Sequence, residues 1–291
     1  MENATNSIYF LTALFLVLLS GFLHALWNLF TKSSIKKDVF LWLCQWAGVI
    51  VYLPLVVLYI PQSVADIKSY SLLFASMILH GIYVILLAKT YSLGDLSQVY
   101  PIMRGTSLLL VPLISVFFLG LHLGIVSWIG ISLIVLGIFF ISGAKINKIS
   151  PRPRVEILLA SAVGICIASY ILVDAISINY WPPFVLNEAT NLGNGIALSF
   201  SVFRSRTIRN EWKINWKTVL LGGIFAQGGY LLFLYAVTIA PVGQLAPMRE
   251  IGTVFGTMLG IAILKEKQGK SRIIASIFIT TGIIILGFSG R

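Results

Sequence analysis

The chain has 291 residues, 58% of them hydrophobic and only 11% charged, with a mean hydropathy of +0.94, whereas a soluble domain carries about 25% charged residues. No water-facing surface can be built from that composition, which excludes a soluble enzyme or binding domain. The net charge of +11 would point to nucleic acid in a soluble protein, but here Lys and Arg stand in short links between apolar runs, where membrane orientation explains them and no nucleic acid is expected.

A bilayer core about 30 Å thick needs about 20 residues of helix, because without water every backbone amide must be satisfied within its own segment. Ten such runs are read, at residues 8–30, 39–60, 70–92, 96–119, 123–142, 156–176, 183–203, 218–239, 242–264 and 273–288. The predicted fold is therefore an all-α integral membrane protein with short links and no soluble domain.

The first run has no Lys or Arg before it and is too long for a cleaved signal, so it is expected to remain as a helix. It carries His24, Trp27 and Asn28, and the third carries His80 and Tyr83, all candidates for polar contacts inside a helix bundle. Cys44 and Cys166 lie within apolar runs, which leaves neither a disulfide framework nor a metal cluster; no cofactor or metal is expected.

The fourth run contains Gln98, Pro101 and Arg104. The link at 145–154 is basic and contains Pro151 and Pro153, and Trp181-Pro182-Pro183 cannot continue a helix. The seventh run places Asn187, Glu188, Asn191 and Asn194 on one helical face, too polar for lipid and so expected inside. Glu188 is a candidate proton-coupling carboxyl. The link at 204–217 mixes basic residues with Trp212 and Trp216, a composition suited to the headgroup layer.

The eighth run adds Gln227, Tyr230 and the glycines 222, 223, 228 and 229. The ninth adds Gln244, Pro247, Arg249, Glu250 and the glycines 252, 256 and 260, whose spacing suits close helix packing rather than a phosphate cradle.

The links after the odd-numbered runs hold Lys and Arg from Lys32 to Arg272, while the other side holds only Lys68 and Arg291. The positive-inside bias predicts both termini outside an inner cell membrane. One register sets Gly21 over Gly164, Ala25 over Ala168, Trp27 over Tyr170, Leu29 over Leu172 and Gln45 over Glu188. A slightly longer one sets Ser97 to Pro101 over Gly243 to Pro247. This ordered agreement predicts two five-helix repeats, 1–149 and 150–291. An odd helix number per repeat makes their topologies inverted, the architecture of secondary transporters.

Helix 1 ends His24-Ala25-Leu26-Trp27-Asn28-Leu29-Phe30-Thr31-Lys32. The unit from Ala88 to Tyr91 and Ser97 to Pro101 follows, and the ninth run ends Gly260-Ile261-Ala262-Ile263-Leu264-Lys265-Glu266. With these patterns the chain resembles the drug/metabolite transporter superfamily, specifically its EamA-like ten-helix members. The first half departs in having Gly120-Leu121-His122 where an acidic ending is usual. The resemblance implies a small-molecule transporter and not an enzyme, and no paired-acid, zincin or nucleophile-elbow motif occurs to suggest chemistry.

Arg104, Arg249 and Glu250 carry the strongest signal, since a charge at membrane depth costs several kcal/mol unless paired or hydrated. Arg104 and Glu250 are equivalent in the longer register and lie roughly 12 Å into their helices. Adjacent Arg249 and Glu250 project about 100° apart and cannot share a partner. A salt bridge from Arg104 to Glu250 or Glu188 that merely locks two helices is the competing reading.

Guanidinium groups reaching a cavity would select a carboxylate or phosphonate, and nearby Glu188 or Glu250 would favour a zwitterion. The candidate substrate-binding set is Arg104, Arg249, Glu250, Glu188, His24, Trp27, Asn28, Tyr83, Gln98, Asn187, Tyr230 and Gln244, with Pro101 and Pro247 as helix breaks. Expected partners are the substrate, the lipid bilayer and, as a candidate coupling ion, the proton, in a monomer or homodimer. A multidrug or cation exporter and a non-transporting receptor or scaffold are the alternatives.

Overall fold

The computed structural model describes residues 2–60, 66–93, 96–141, 153–203, 207–263 and 270–289. Among them every regular element is a helix: α1 (Glu2–Ser33), α2 (Lys37–Tyr59), α3 (Ile67–Leu93), α4 (Leu96–Leu119), α5 (Ile125–Ile141), α6 (Pro153–Ser177), α7 (Pro183–Val202), α8 (Ile208–Ile239), α9 (Val242–Met248), α10 (Ile251–Ala262) and α11 (Lys270–Ser289). Six of these are long and apolar enough to cross a bilayer, and α5 and α11 supply shorter apolar stretches. Large apolar side chains such as Ile50, Phe74, Phe117, Phe200 and Ile284 point outward, a surface that lipid accepts and water would penalise. The protein is a multi-pass membrane protein.

Two expectations about helix ends are corrected. Pro153 does not interrupt the chain but opens α6, where its missing N–H would have lacked a partner anyway. The stretch 208–217 is not a link: it forms the first turns of α8, which bends at Asn215 (φ −111°, ψ 15°). Glu211 in those turns is buried and accepts the Lys36 amide at 2.8 Å and the Asn215 side-chain amide at 2.6 Å. Its carboxylate thus sits at the N-terminus of α2, where the helix dipole favours negative charge. Trp212 and Trp216 stay exposed, in keeping with a headgroup position.

The ninth run is not the single helix expected at 242–264. Pro247 has no N–H to give the Gly243 carbonyl, and the backbone tightens immediately after it. Glu250 N donates to Pro247 O at 3.1 Å and Thr253 N to Glu250 O at 2.9 Å, three-residue steps in place of four. This divides α9 from α10 at Arg249 and Glu250. Pro101 does not act likewise: α4 runs unbroken across Pro101 and Pro112.

Eight spans close a ring in the order α2, α7, α3, α6, α4, α9–α10, α1, α8 and back to α2, while α5 and α11 pack on each other outside it. Exchanging the first five spans for the last five reproduces the neighbours: α1 on α8 matches α6 on α3, and α1 on α10 matches α6 on α4. One joint shows the correspondence in atoms. A Cβ on Gly21 would lie 2.6 Å from Ile251 Cγ2 and 3.3 Å from Arg249 O, and one on Gly164 2.6 Å from Met103 O and Thr106 Cβ. Only a glycine admits the opposing backbone so closely. The other glycines noted in α8 are likewise packing positions, against Cys44, Tyr52 and Ser20, whereas Gly256 faces open space.

Candidate functional site

The break between α9 and α10 turns two adjacent charged side chains in different directions. Glu250 reaches α4, where Arg104 Nη1 donates to its Oε1 at 3.1 Å. Arg104 also lies over the Tyr100 ring, 5.7 Å from its centre. The pair is neutral as a unit, so its cost at membrane depth is largely removed.

Arg249 is held differently. Its Nε donates to Ser20 Oγ at 3.2 Å, and the Ser20 hydroxyl in turn donates to Gly229 O. The guanidinium lies over Tyr230 at 5.0 Å and Phe233 at 4.8 Å, contacts that stabilise a cation by about 0.5–2 kcal/mol each. Among the described residues it makes no ion pair, and it remains partly accessible. It is therefore a positive charge compensated by ring faces rather than by an acid, free to take up an anion.

Behind Tyr230 lies a fully buried acid. Asp174 of α6 accepts hydrogen bonds from Ser76 Oγ and from the Tyr230 hydroxyl, and His80 Nε2 stands 3.8 Å from Asp174 Oδ2. His80 Nδ1 lies 3.0 Å from Ser76 O, and its ring packs 4.1 Å from that of Tyr170. Tyr83 packs on the same Tyr170 at 5.5 Å. His24 lies within electrostatic reach of Arg249 and Arg104 and accepts a hydrogen bond from Trp27 Nε1 at 3.0 Å.

The α7 stripe is inside, as its polarity required: Asn187, Glu188 and Asn191 are all buried. Asn187 Oδ1, both Glu188 carboxylate oxygens and Asn194 Oδ1 have no protein partner, nor have Gln45 Oε1 of α2 and Gln227 Oε1 of α8. Because α7 borders α2 and α3, this group of acceptors occupies the side of the ring opposite the α4–α9 contact.

The expected set therefore divides. Arg104, Glu250, Arg249, Tyr230, Tyr83, His24 and Trp27 come together, while Glu188 and Asn187 form a separate pole. Asn28 joins neither: it is exposed and its amide donates to His24 O of its own helix at 2.8 Å. Gln244 is buried on α9, and the Gln98 side chain lies outside the described residues. A cavity of about 290 Å³ lies at the α6–α7 turn, between Tyr59, Tyr180, Trp181 and Tyr235. Asp174, Ser76, Ser20, Tyr170 and Phe233 were not anticipated. Asp174 carried a usable signal, since an acid inside an apolar run is a functional candidate by default.

An all-helical multi-pass protein with a span broken at buried charges has the build of a small-molecule membrane transporter. Residues 154–288 match the model of the EamA-like transporter family. A crystal structure described only as that of a protein is similar over 97% of this chain and 96% of its own, at 16% identity and a TM-score of 0.73, a likeness of fold alone. No curated protein matches the chain.

Proposed function

We propose that the protein is a secondary transporter of a small zwitterionic or anionic metabolite, such as an amino acid or another carboxylate- or phosphonate-bearing compound. It works by rocking of repeats 1–149 and 150–291 about the ring interior. The observation that carries this reading is Arg249, a guanidinium inside the bundle with no carboxylate of its own, set at a helix break. A substrate carboxylate fits its planar donors, and the unpartnered oxygens of the Glu188 pole suit an ammonium group. The exchange pattern of the helices supports the division into repeats.

Thermal unfolding of the purified protein with amino acids, phosphonates, sugar phosphates and quaternary amines tests the substrate class, because a ligand stabilises the state it binds. Zwitterions or anions should raise the midpoint. Stabilisation by quaternary amines alone would favour a cation exporter instead.

The Lys and Arg bias further supports a topology with both termini outside an inner membrane. Cys44 and Cys166 are buried, so a cysteine introduced as Lys148→Cys or Arg291→Cys can be labelled alone. An impermeant maleimide added to intact cells should reach residue 291 and spare residue 148; the opposite pattern would reverse the orientation.

A further inference from the structure

Arg249, Tyr230, Asp174 and His80 form one connected series. The guanidinium lies on the face of Tyr230, the Tyr230 hydroxyl donates to Asp174, and Asp174 stands beside His80. We propose that the His80–Asp174 pair is a proton-binding site that couples transport, taking up one proton for each substrate carboxylate that binds Arg249. This rests on the reading of Arg249 as an anion site.

The argument is one of charge conservation in a medium where imbalance is costly. The groups facing Asp174 from each packed helix are few. From α3 come Ser76 and His80, from α8 Tyr230, and from α6 itself Tyr170 against the His80 ring; Arg249 stands on the far face of Tyr230, within electrostatic reach of His80 and beside the Arg104–Glu250 pair. Arg104 and Glu250 cancel in both states.

With no substrate bound, the positive Arg249 balances the pair carrying one negative charge, an ionised Asp174 beside a neutral His80. A substrate carboxylate at Arg249 adds a negative charge. A proton taken by the pair, on Asp174 or as an imidazolium next to the carboxylate, restores the balance. Either ligand therefore favours the other by the same factor, as linkage requires. The charge around Arg249 and the His80–Asp174 pair is then the same loaded and empty, the ammonium of a zwitterion being received at the separate Glu188 pole.

The test uses the full-length protein in liposomes enclosing a pH-sensitive dye, with an equimolar mixture of radiolabelled L-amino acids as probe. The wild type should exchange label and acidify the lumen during net uptake. Asp174→Asn should keep exchange while proton influx falls to the level of protein-free liposomes. Should Asp174→Asn fail to fold, Ser76→Ala removes one donor without altering charge. It should retain exchange and move the half-maximal pH of proton influx upward, a shift that a purely structural serine would not produce. Exchange without proton influx in the wild type would overturn the coupling site and leave the transporter reading intact, as would unchanged proton influx in Asp174→Asn or an unmoved midpoint in Ser76→Ala. Absence of any exchange by the wild type would overturn the substrate class, and the coupling site with it.

Discussion

Arg249→Ala is expected to remove saturable substrate binding and transport while leaving a folded protein. The side chain contributes one hydrogen bond to Ser20 and two ring contacts to its surroundings. Its loss breaks no ion pair, and Asp174 beyond Tyr230 keeps its hydroxyl and imidazole partners, so the packing cost is roughly 1–4 kcal/mol from the lost cation–π contacts. The loss for a carboxylate substrate is greater in consequence: a buried charge-assisted contact is worth about 2–5 kcal/mol, on the order of 30- to 3,000-fold in affinity. Arg249→Lys keeps the charge and forfeits the planar fork, so it should fall between the two. Ligand-dependent thermal shift and radiolabel exchange measure both variants. Wild-type affinity in Arg249→Ala would show that the guanidinium serves packing only.

Arg104→Ala should do the reverse, damaging the fold first. It leaves the Glu250 carboxylate buried with its ion-pair partner removed, and breaking one side of a buried pair costs about 3–5 kcal/mol. The double variant Arg104→Met with Glu250→Gln removes both charges and should recover most of that loss. Denaturation in detergent of the wild type, Arg104→Met, Glu250→Gln and the double variant closes the cycle. If the double variant is as unstable as the sum of the singles, the two side chains do not act as a pair, and Arg104 would have to be reconsidered as a substrate contact in its own right. The contrast between the two arginines is the main gain from the structure, because the sequence gives them equal standing.

Their difference has a simple origin. Arg104 and Glu250 share a position in the longer register read from the sequence, and the α4–α9 contact brings them together. Arg249 has Met103 as its equivalent, so the first repeat offers it no counter-charge. A guanidinium left over by the pairing is then available to a ligand. The same comparison explains the helix break: Pro101 and Pro247 occupy equivalent positions, yet only the second interrupts its span.

Much of this was legible in the residues. Runs of about 20 apolar residues define spans because hydrocarbon offers a backbone amide no partner outside its own helix. The polar stripe of α7 had to turn inward for the same reason. The weak register between Gly21 and Gly164 anticipated two glycine joints that the structure builds alike.

Asp174 shows where such reading stops. A single acid inside an apolar run marks a candidate, but its meaning depends on Ser76, His80 and Tyr230 arriving from two other helices. Likewise, nothing along the chain separates Glu188, whose oxygens find no protein partner, from Glu250, which is paired.

The sequence by itself determined which segments enter the membrane, which faces of them avoid lipid, and which charges must be compensated, since each follows from local transfer costs along one helix. Only the tertiary structure decided how that compensation is shared out: Arg104 neutralised by Glu250, Arg249 by ring faces, Asp174 by hydroxyls and an imidazole. Partners for a buried charge come from helices distant in sequence, and their choice is fixed by the order of packing around the ring.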